Sequence, residues 1–323
     1  MGYQNQKRAL GLVRLTLIIA SILFPTLATA AEPLSILTQN LNQLFDHIDD
    51  GNREKIVSRG RYRQKIRGVA KNMIEEFKLP HIIAVQEVEN LRVLRDLAAE
   101  LYGRSGAIYQ SVLMPGLDVS GIDVGFLVNT NLKIEKVEQL FFNQQINGGD
   151  TPLFSRPPLL LRVCRVEKCL SLVNLHMRSM RGISSERRGE RVRHKRQQQA
   201  ETLARWINRF QSDQPSSNLM ILGDFNALTP SDKHVDVAGI LRGNPDQSRP
   251  QLISTDLIKR DLVDLTLLIP QKRRYSYIFR QKKQQLDYLL LNQTTELQLE
   301  SIGFGRINYR VSDHAGLIAE FSW

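Results

Sequence analysis

Six apolar stretches of the sequence end in polar side chains of the kinds that hold metal ions and phosphate groups. One of them, "ILGDFNAL" (221–228), ends with Asp224 and Asn226. Side chains alternate along a strand, so these two would point to the same side of a strand. A carboxylate beside a carboxamide could hold a metal or a phosphate, or could simply form a turn. The other five stretches end in Asn40, Glu87, His176, Asp287, and the pair Asp313 and His314.

Each of these residues also has an ordinary structural explanation. Asn40 could begin a turn, Glu87 could cap the helix that follows it, and His176 could be a half-buried histidine with a satisfied hydrogen bond. Asp287 could lie at a strand edge, and "SDHAG" (312–316) could be a plain loop. Their shared position at strand ends, together with their order along the chain, is what indicates a functional site.

The order N…E…H…GDFN…D…SDH resembles the endonuclease/exonuclease/phosphatase superfamily. This superfamily includes pancreatic deoxyribonuclease I, abasic-site endonucleases, sphingomyelinases and inositol-polyphosphate phosphatases. The resemblance runs from "LTQNLNQLF" (37–45) to "SDHAGLIAEF" (312–321), and "GDFN" and "SDH" are its most specific parts. It implies an α/β fold, a four-layer sandwich in which two mixed β-sheets pack face to face with helices on the outside.

The resemblance also implies a metal site. Hydrolysis of a phosphodiester needs a deprotonated water, neutralisation of charge at phosphorus and help for the departing oxygen. By resemblance, Glu87 and Asn40 are ligands of a divalent cation, and Asp313 is a candidate ligand of the same or a second ion. Oxygen ligands of this kind suit Mg2+, although Mn2+ and Ca2+ remain possible.

The remaining core residues take catalytic roles by resemblance. His314 is the general base, because histidine changes protonation near neutral pH, and Asp287 orients it. Asp224 aligns the attacking water or binds metal. Asn226 and His176 donate hydrogen bonds to the phosphate oxygens as charge accumulates there.

Three further positions have looser motifs around them. Asp123 in "GIDVGFLVN" is a candidate to orient His176, and the alternative is a turn residue. Arg156 in "FSRPPLLLRV" is a candidate contact for a substrate phosphate, and the alternative is a solvated surface charge. Asn42 stands where some relatives carry an acidic residue, so we assign it no metal-ligand role.

The charge of the chain points to a polyanionic partner. Lys and Arg number 44 against 33 Asp and Glu, which gives a formal charge of +11. Three basic segments adjoin the site-bearing strands, at 53–67, 178–197 and 271–283. We expect residues such as Arg178 to contact backbone phosphates and Tyr277 or Tyr275 to stack on a base. The alternative is a set of solvated helix faces.

These observations predict a nuclease that acts on DNA in preference to RNA, an endonuclease with little sequence preference. By resemblance to deoxyribonuclease I, it would leave 5′-phosphate and 3′-hydroxyl ends. The alternatives are a sphingomyelinase-like phospholipid phosphodiesterase, an inositol-phosphate phosphatase, and a catalytically silent basic protein that binds nucleic acid. The phospholipid alternative requires an exposed aromatic hairpin to enter a membrane, and none stands out in the sequence. We expect a monomer.

The N-terminal residues have the pattern of a signal peptide. Lys7, Arg8 and Arg14 precede an apolar run at 15–24, and small residues at 28–30 suit cleavage. An uncleaved membrane anchor is the alternative, but the run is short for a bilayer. We predict export to the periplasm or the medium, with no membrane insertion after cleavage of residues 1–30. The remaining single catalytic domain, 31–323, keeps a formal charge of +8.

The elements that must position these residues can be predicted from the apolar pattern. Helices are expected at 61–78, 90–101 and 185–210, the last with Ser184 or Ser185 as N-cap. Cys164 and Cys169 flank "RVEK", which predicts a hairpin with a four-residue connection. In an exported protein the two thiols could be bridged, so we expect a disulfide, with reduced thiols as the alternative. Strands are expected at 34–41, 81–88, 109–114, 123–128, 159–164, 170–175, 218–225, 275–280, 286–291, 297–302 and 317–321.

Overall fold

Two mixed β-sheets of six strands each form the centre of the protein in the computed structural model. The structure describes residues 33–51, 53–228, 233–249, 251–293 and 297–323. The predicted signal peptide, 1–30, therefore lies outside the described residues. None of the described helices is both long and apolar enough to cross a membrane.

The strands and helices follow the predicted order, with bounds that differ by a few residues. The strands are β1 (Pro33–Leu44), β2 (Ile82–Val88), β3 (Tyr109–Leu113), β4 (Asp123–Asn129), β5 (Lys133–Gln139), β6 (Leu159–Arg165), β7 (Lys168–His176), β8 (Asn218–Asp224), β9 (Val263–Asp264), β10 (Tyr277–Phe279), β11 (Lys282–Gln284), β12 (Asp287–Leu291), β13 (Gln298–Phe304) and β14 (Leu317–Ser322). The helices are α1 (Arg59–Glu75), α2 (Leu91–Ser105), α3 (Gly189–Asp213) and α4 (Val237–Arg242).

The first sheet has the strand order β13-β14-β1-β2-β4-β3, and the second has β5-β6-β7-β8-β12-β9. Each sheet contains one parallel pair, β1 with β2 and β7 with β8, and its other pairs are antiparallel. Strands β10 and β11 form a separate two-stranded sheet. Parallel neighbours end at the same edge of a sheet, which is how separate polar strand ends come together.

Three apolar cores separate four layers. One core lies between the sheets and joins residues such as Ile36 and Phe126 of the first sheet to Leu172 of the second. A second packs α1 and α2 against the outer face of the first sheet, and a third packs α3 and α4 against the second sheet. The predicted four-layer α/β sandwich is confirmed.

The start of α3 differs from the prediction. The helix begins at Gly189, after a series of turns, and Arg188 occupies the N-cap position without a side-chain capping bond. Ser185 lies one turn earlier: its Oγ accepts a hydrogen bond from the Arg188 amide, and its carbonyl accepts one from Gly189. A serine that caps an isolated turn has the same sequence pattern as a helix N-cap, which explains the error.

The cysteine hairpin is tighter than predicted. Arg165 and Lys168 are still paired in the ladder, so only Val166 and Glu167 connect β6 to β7. Cys164 and Cys169 lie directly opposite each other, with a Cα–Cα distance of 4.1 Å, and a disulfide joins them. The expected disulfide is therefore present, but the expected four-residue connection is wrong.

Candidate active site

The register of the second sheet places three of the predicted site residues side by side. His176 at the end of β7 is opposite Asp224 of β8, and Asp224 is opposite Asp287 of β12. In the first sheet, Asn40 of β1 is opposite Gln86, the residue before Glu87. The polar ends of both sheets therefore meet at one edge of the sandwich.

Asp224 is held by the short turn that follows β8. Its Oδ1 accepts a hydrogen bond from the Asn226 amide at 2.8 Å, and its Oδ2 accepts one from Asn226 Nδ2 at 3.2 Å. Gly223 has a φ of 128°, and a Cβ there would lie 2.2 Å from the carbonyl oxygen of Leu175. Only glycine fits this position, which accounts for the glycine of "GDFN".

Asn40 connects the two sheets across the site. Its Nδ2 lies 3.1 Å from Glu87 Oε1 and 3.1 Å from Asp224 Oδ2, and donates to both. Its Oδ1 accepts the amide of Asn42, while Glu87 Oε2 accepts the amide of Gln43. Three of the residues in this turn region, Asn42, Gln43 and Glu87, have positive φ angles of 51°, 58° and 60°. Strained backbone of this kind concentrates at functional sites.

His314 and Asp287 form a buried pair. His314 Nδ1 lies 2.7 Å from Asp287 Oδ2, and both side chains are almost fully buried. Burial by itself would lower the pKa of His314, but the charge and hydrogen bond of Asp287, with Asp224 and Asp313 nearby, raise that pKa to about 10. The loop is fixed by Ser312, whose Oγ donates to the Asn40 carbonyl and accepts from the His314 amide.

His176 has the opposite electrostatic environment. Its Nε2 lies 3.5 Å from Asp224 Oδ2 and 3.8 Å from Glu87 Oε1. Burial, with positive charge from Arg156 and His314, holds the pKa of His176 well below its ordinary value, so its imidazole is neutral. Burial also raises the pKa of Asp224 to about 7, an effect that Asp287 reinforces and His314 opposes. The surroundings of the two histidines therefore act in opposite directions: those of His314 favour the charged imidazolium, and those of His176 favour the neutral imidazole.

The oxygen donors fit a hard divalent cation that keeps part of its water shell. Glu87 is a carboxylate with 19% of its side chain exposed, and Asn40 lies against it. A metal site built from protein ligands alone would bring three acidic, His or Cys ligand atoms close together. Among the described residues, the only such group within 4.8 Å is Glu135 with Cys164 and Cys169, and these two cysteines are joined in the disulfide. One or two carboxylates with water and substrate oxygens is the arrangement that Mg2+ favours.

The contacts of Asp123 and Arg156 bear on the two looser role predictions, and they contradict the one for Asp123. Asp123 accepts a hydrogen bond from the Gly116 amide at 2.8 Å, whereas His176 Nδ1 has no hydrogen-bond partner among the described residues. Asp123 therefore does not orient His176. Arg156 is not a solvated surface charge, because its guanidinium binds Asp118 at 2.9 Å and donates to the carbonyls of His176 and Met177. It holds the end of β7. Its contact with a substrate phosphate stays a prediction.

The other predicted residues lie around the same edge. Asp313 is half-buried beside His314 and interacts electrostatically with it. The ring of Tyr277 lies 5.1 Å from the His314 ring. Arg178 lines a groove of about 430 Å³ together with Arg188, Arg191 and Lys195.

Two features of the site were not predicted. Lys65 of α1 donates from Nζ to the carbonyls of Asn42 and Val311, and burial lowers its pKa to about 8. Nothing distinguishes Lys65 in the sequence from the other cations of segment 53–67. Gln86 and Asn174 bond across the sheets at 2.7 Å, directly behind Glu87 and His176. Their positions in otherwise apolar strands were the only available signal.

Similarity to known proteins agrees with this geometry. The profile of the endonuclease/exonuclease/phosphatase family matches residues 35–304. None of the curated proteins matches the chain. Among solved structures, D. rerio TDP2 in complex with a single-strand DNA product superposes with a TM-score of 0.57 at 16% identity, over 90% of this chain and 99% of that one.

Two other solved structures show the same fold. ANGEL2, a 2′,3′-cyclic phosphatase, superposes with a TM-score of 0.58 at 14% identity, over 90% of this chain and 95% of that one. A family protein from Bacteroides thetaiotaomicron gives 0.56 at 14% identity, over 90% and 98%. The profile match spans most of the chain, and the site residues lie at the strand ends of the shared fold. This chain belongs to the endonuclease/exonuclease/phosphatase family, and it is a metal-dependent hydrolase.

Proposed function

We propose that the protein is a divalent-metal-dependent nuclease that hydrolyses phosphodiester bonds of nucleic acid, with DNA as the preferred substrate. The observation that carries this proposal is the meeting of two unlike groups at one edge of the sandwich. The buried His314–Asp287 pair lies on one side, and the oxygen donors Asn40 and Glu87 lie on the other, with Asp224 between them.

The His314–Asp287 pair takes the proton from the attacking water. Donation from Nδ1 to Asp287 fixes the tautomer and leaves Nε2 to accept that proton, while the carboxylate stabilises the imidazolium that forms. Asp287 is the main cause of the raised pKa of His314, and Asp224 and Asp313 add to it. A cation bound at the candidate ligand Asp313 would counter that part of the negative charge and lower the pKa of His314. The neutral imidazole that a base requires is therefore favoured in the metal-loaded protein.

Glu87 and Asn40 would hold the cation, with Asp313 as a further candidate ligand. When bound, a divalent ion neutralises charge on the phosphate and on the departing oxygen. The neutral His176 donates a hydrogen bond to a phosphate oxygen, where its effect grows as negative charge accumulates. The predicted donation from Asn226 to the phosphate does not agree with the structure, because Asn226 Nδ2 donates to Asp224 Oδ2 and to the Met177 carbonyl. Asp224 accepts hydrogen bonds from both Asn40 and Asn226 and so fixes the positions of these two side chains.

Two basic grooves adjoin the site and support a nucleic-acid substrate. One, of about 300 Å³, includes the site residues Asn42 and Gln43, and its described lining carries four cations and no carboxylate: Lys55, Arg61, Lys65 and Arg310. The other is the groove of Arg178. Cations of these grooves would bind phosphates of a polymer that flank the reacting one. The DNA product bound to D. rerio TDP2 further supports this substrate class.

The test is hydrolysis by the purified protein of supercoiled plasmid, RNA and sphingomyelin, each with Mg2+ and with EDTA. We expect Mg2+-dependent nicking of the plasmid, and inhibition by salt because phosphate contacts release counterions. Turnover of sphingomyelin with intact plasmid would assign the same site to a phospholipid. Nicking that is indifferent to salt would remove the role of the basic grooves.

We also propose that the protein is exported and acts as a monomer. The basic and apolar pattern of residues 1–30 supports export, and the disulfide suits an oxidising compartment. N-terminal sequencing of the protein recovered from the producing cells tests this proposal. A mature N-terminus near residue 31 is expected, and an intact Met1 in the recovered protein would contradict cleavage.

A further inference from the structure

A short hairpin next to the catalytic pair has no part in the mechanism above. Strands β10 and β11 pair only with each other, and Arg280 and Gln281 connect them. Both connecting residues have positive φ angles, 45° and 65°, the conformation of a two-residue hairpin turn. We call residues 277–284 the aromatic hairpin.

The base of the aromatic hairpin is tied to the catalytic pair. Ser276, the residue before it, accepts the amides of Leu286 and Asp287 on its Oγ, at 3.0 and 3.2 Å. The carbonyl of Ser276 accepts the amide of Ala315, the residue after His314. The position of the hairpin is therefore set by the same segments that hold His314 and Asp287.

One face of the hairpin carries an aromatic row that begins at the site. Tyr277 contacts the His314 ring, with 5.1 Å between ring centroids. Phe279 is two residues further along the strand, so it lies on the same face, and 48% of it is exposed. Lys282 is directly opposite Phe279 in the ladder and is also exposed. The row thus places an aromatic ring and an ammonium group beyond the reacting position.

We propose that the aromatic hairpin binds an unpaired nucleotide of the substrate, with its base stacked on Phe279 and its phosphate bound by Lys282. This inference rests on the proposed nuclease function and deepens it. A base can stack on a side chain only if one of its faces is uncovered, and inside a duplex the neighbouring base pairs cover both faces. The hairpin would therefore favour single strands, frayed ends and other unpaired regions.

A membrane surface is the other partner that an exposed aromatic hairpin could suit. Phe279 is the only apolar residue among the four at the tip, where Arg280, Gln281 and Lys282 follow it. The Arg280 guanidinium also lies over the Phe279 ring, 5.3 Å from its centroid. Insertion into lipid would remove these polar groups from water at a cost in free energy. Stacking on a base would leave them in contact with water and with the phosphates of the nucleic acid.

The test measures binding separately from cleavage. An oligonucleotide that contains 2-aminopurine is titrated in EDTA, as a single strand and as a duplex, against the wild type, Phe279→Ala and Phe279→Trp. The matched control is Tyr102→Ala, which removes a 59% exposed aromatic ring from α2. We expect Phe279→Ala to weaken single-strand binding by about 5- to 100-fold, with Phe279→Trp and the control close to the wild type.

Several results would overturn the inference. Phe279→Ala could bind single strands as tightly as the wild type, or could lose duplex affinity by the same factor. It could also lose only its binding to phosphatidylglycerol vesicles, which would identify a membrane contact instead. Binding that depends on Phe279 in a protein that cleaves no nucleic acid with Mg2+ would reject the proposed function and keep the stacking site. Cleavage of nucleic acid with Mg2+ by a protein whose single-strand binding does not depend on Phe279 would reject the stacking site alone.

Discussion

The two sheets contribute unlike halves to one site. The half from the first sheet, Asn40 and Glu87, has a partly exposed carboxylate and left-handed backbone at and near it. The half from the second sheet, with Asp224 and Asp287, is buried and closely hydrogen-bonded, and its three strand-end residues lie in direct register. An open, acidic half is suited to a cation that exchanges with water, whereas a closed half is suited to holding a proton donor and acceptor in fixed geometry.

The largest expected effect comes from the closed half. Asp287→Asn should lower kcat by about 10³-fold or more, because an amide cannot fix the His314 tautomer or stabilise its charged form. The measurement is kcat on the preferred substrate, with circular dichroism to confirm folding. Asp264→Asn is the matched control, since Asp264 is also buried and bonds to Thr266 rather than to the site. Activity within tenfold of the wild type would show that the pair does not act on the proton.

The open half should respond differently. Glu87→Gln is expected to raise the Mg2+ concentration needed for half-maximal activity by about tenfold or more, because it removes the exposed carboxylate but keeps the side-chain shape. A metal titration of activity measures this effect. Glu100→Gln on α2, where the half-buried Glu100 pairs with Arg104 away from the site, should leave the titration unchanged. A lower kcat with an unaltered metal requirement would mean that Glu87 does not have the metal-binding role assigned to its half of the site.

A third experiment concerns the buried carboxyl group of Asp123, the first residue of β4. Burial raises the pKa of Asp123 to about 7. A raised carboxyl pKa means that the folded protein binds the proton more tightly than the unfolded chain does. This contribution to stability is complete below pH 4 and is lost as the pH rises to about 7.

Asp123→Asn should abolish that pH dependence. Relative to the variant, the wild type should lose up to about 4 kcal/mol of unfolding free energy between pH 4 and 7. Urea unfolding of both proteins across this range gives the difference directly. If the free energy of unfolding depends on pH in the same way for both proteins, Asp123 is ionised in the folded protein at little cost despite its burial.

The last experiment tests the hydrogen bond that joins the two sheets behind the site. Asn174→Ala leaves the amide of Gln86 and the carbonyls of Val85 and Gly125 short of a partner, which should cost about 2 kcal/mol. Urea unfolding measures the loss, and a double-mutant cycle with Gln86→Ala isolates the contact between the sheets. If the two substitutions are additive, the hydrogen bond between Gln86 and Asn174 adds no coupling between the sheets.

The sequence by itself determined most of the elements and the membership of the site. Apolar alternation and helical spacing predicted eleven of the fourteen strands in the described part of the chain, and its three long helices, because these patterns report local burial. Three predicted core residues lie together because His176 and Asp224 end neighbouring strands and Asp287 begins the next one, which is antiparallel, so all three fall at the same edge of the sheet. The strands not predicted, β5, β9 and β11, are mostly exposed or very short, so their apolar pattern is weak.

Only the tertiary structure decided which polar groups touch. Gln86 and Asn174 are 88 residues apart, and Asp123 and Arg156 contact partners that their local motifs do not indicate. Only the structure shows the aromatic hairpin, because β10 pairs with β11 and belongs to neither six-stranded sheet. A sequence pattern records whether a side chain is buried, but the identity of its partner depends on how two sheets pack across a shared core. That packing is set by the sum of many apolar contacts, which no single motif encodes.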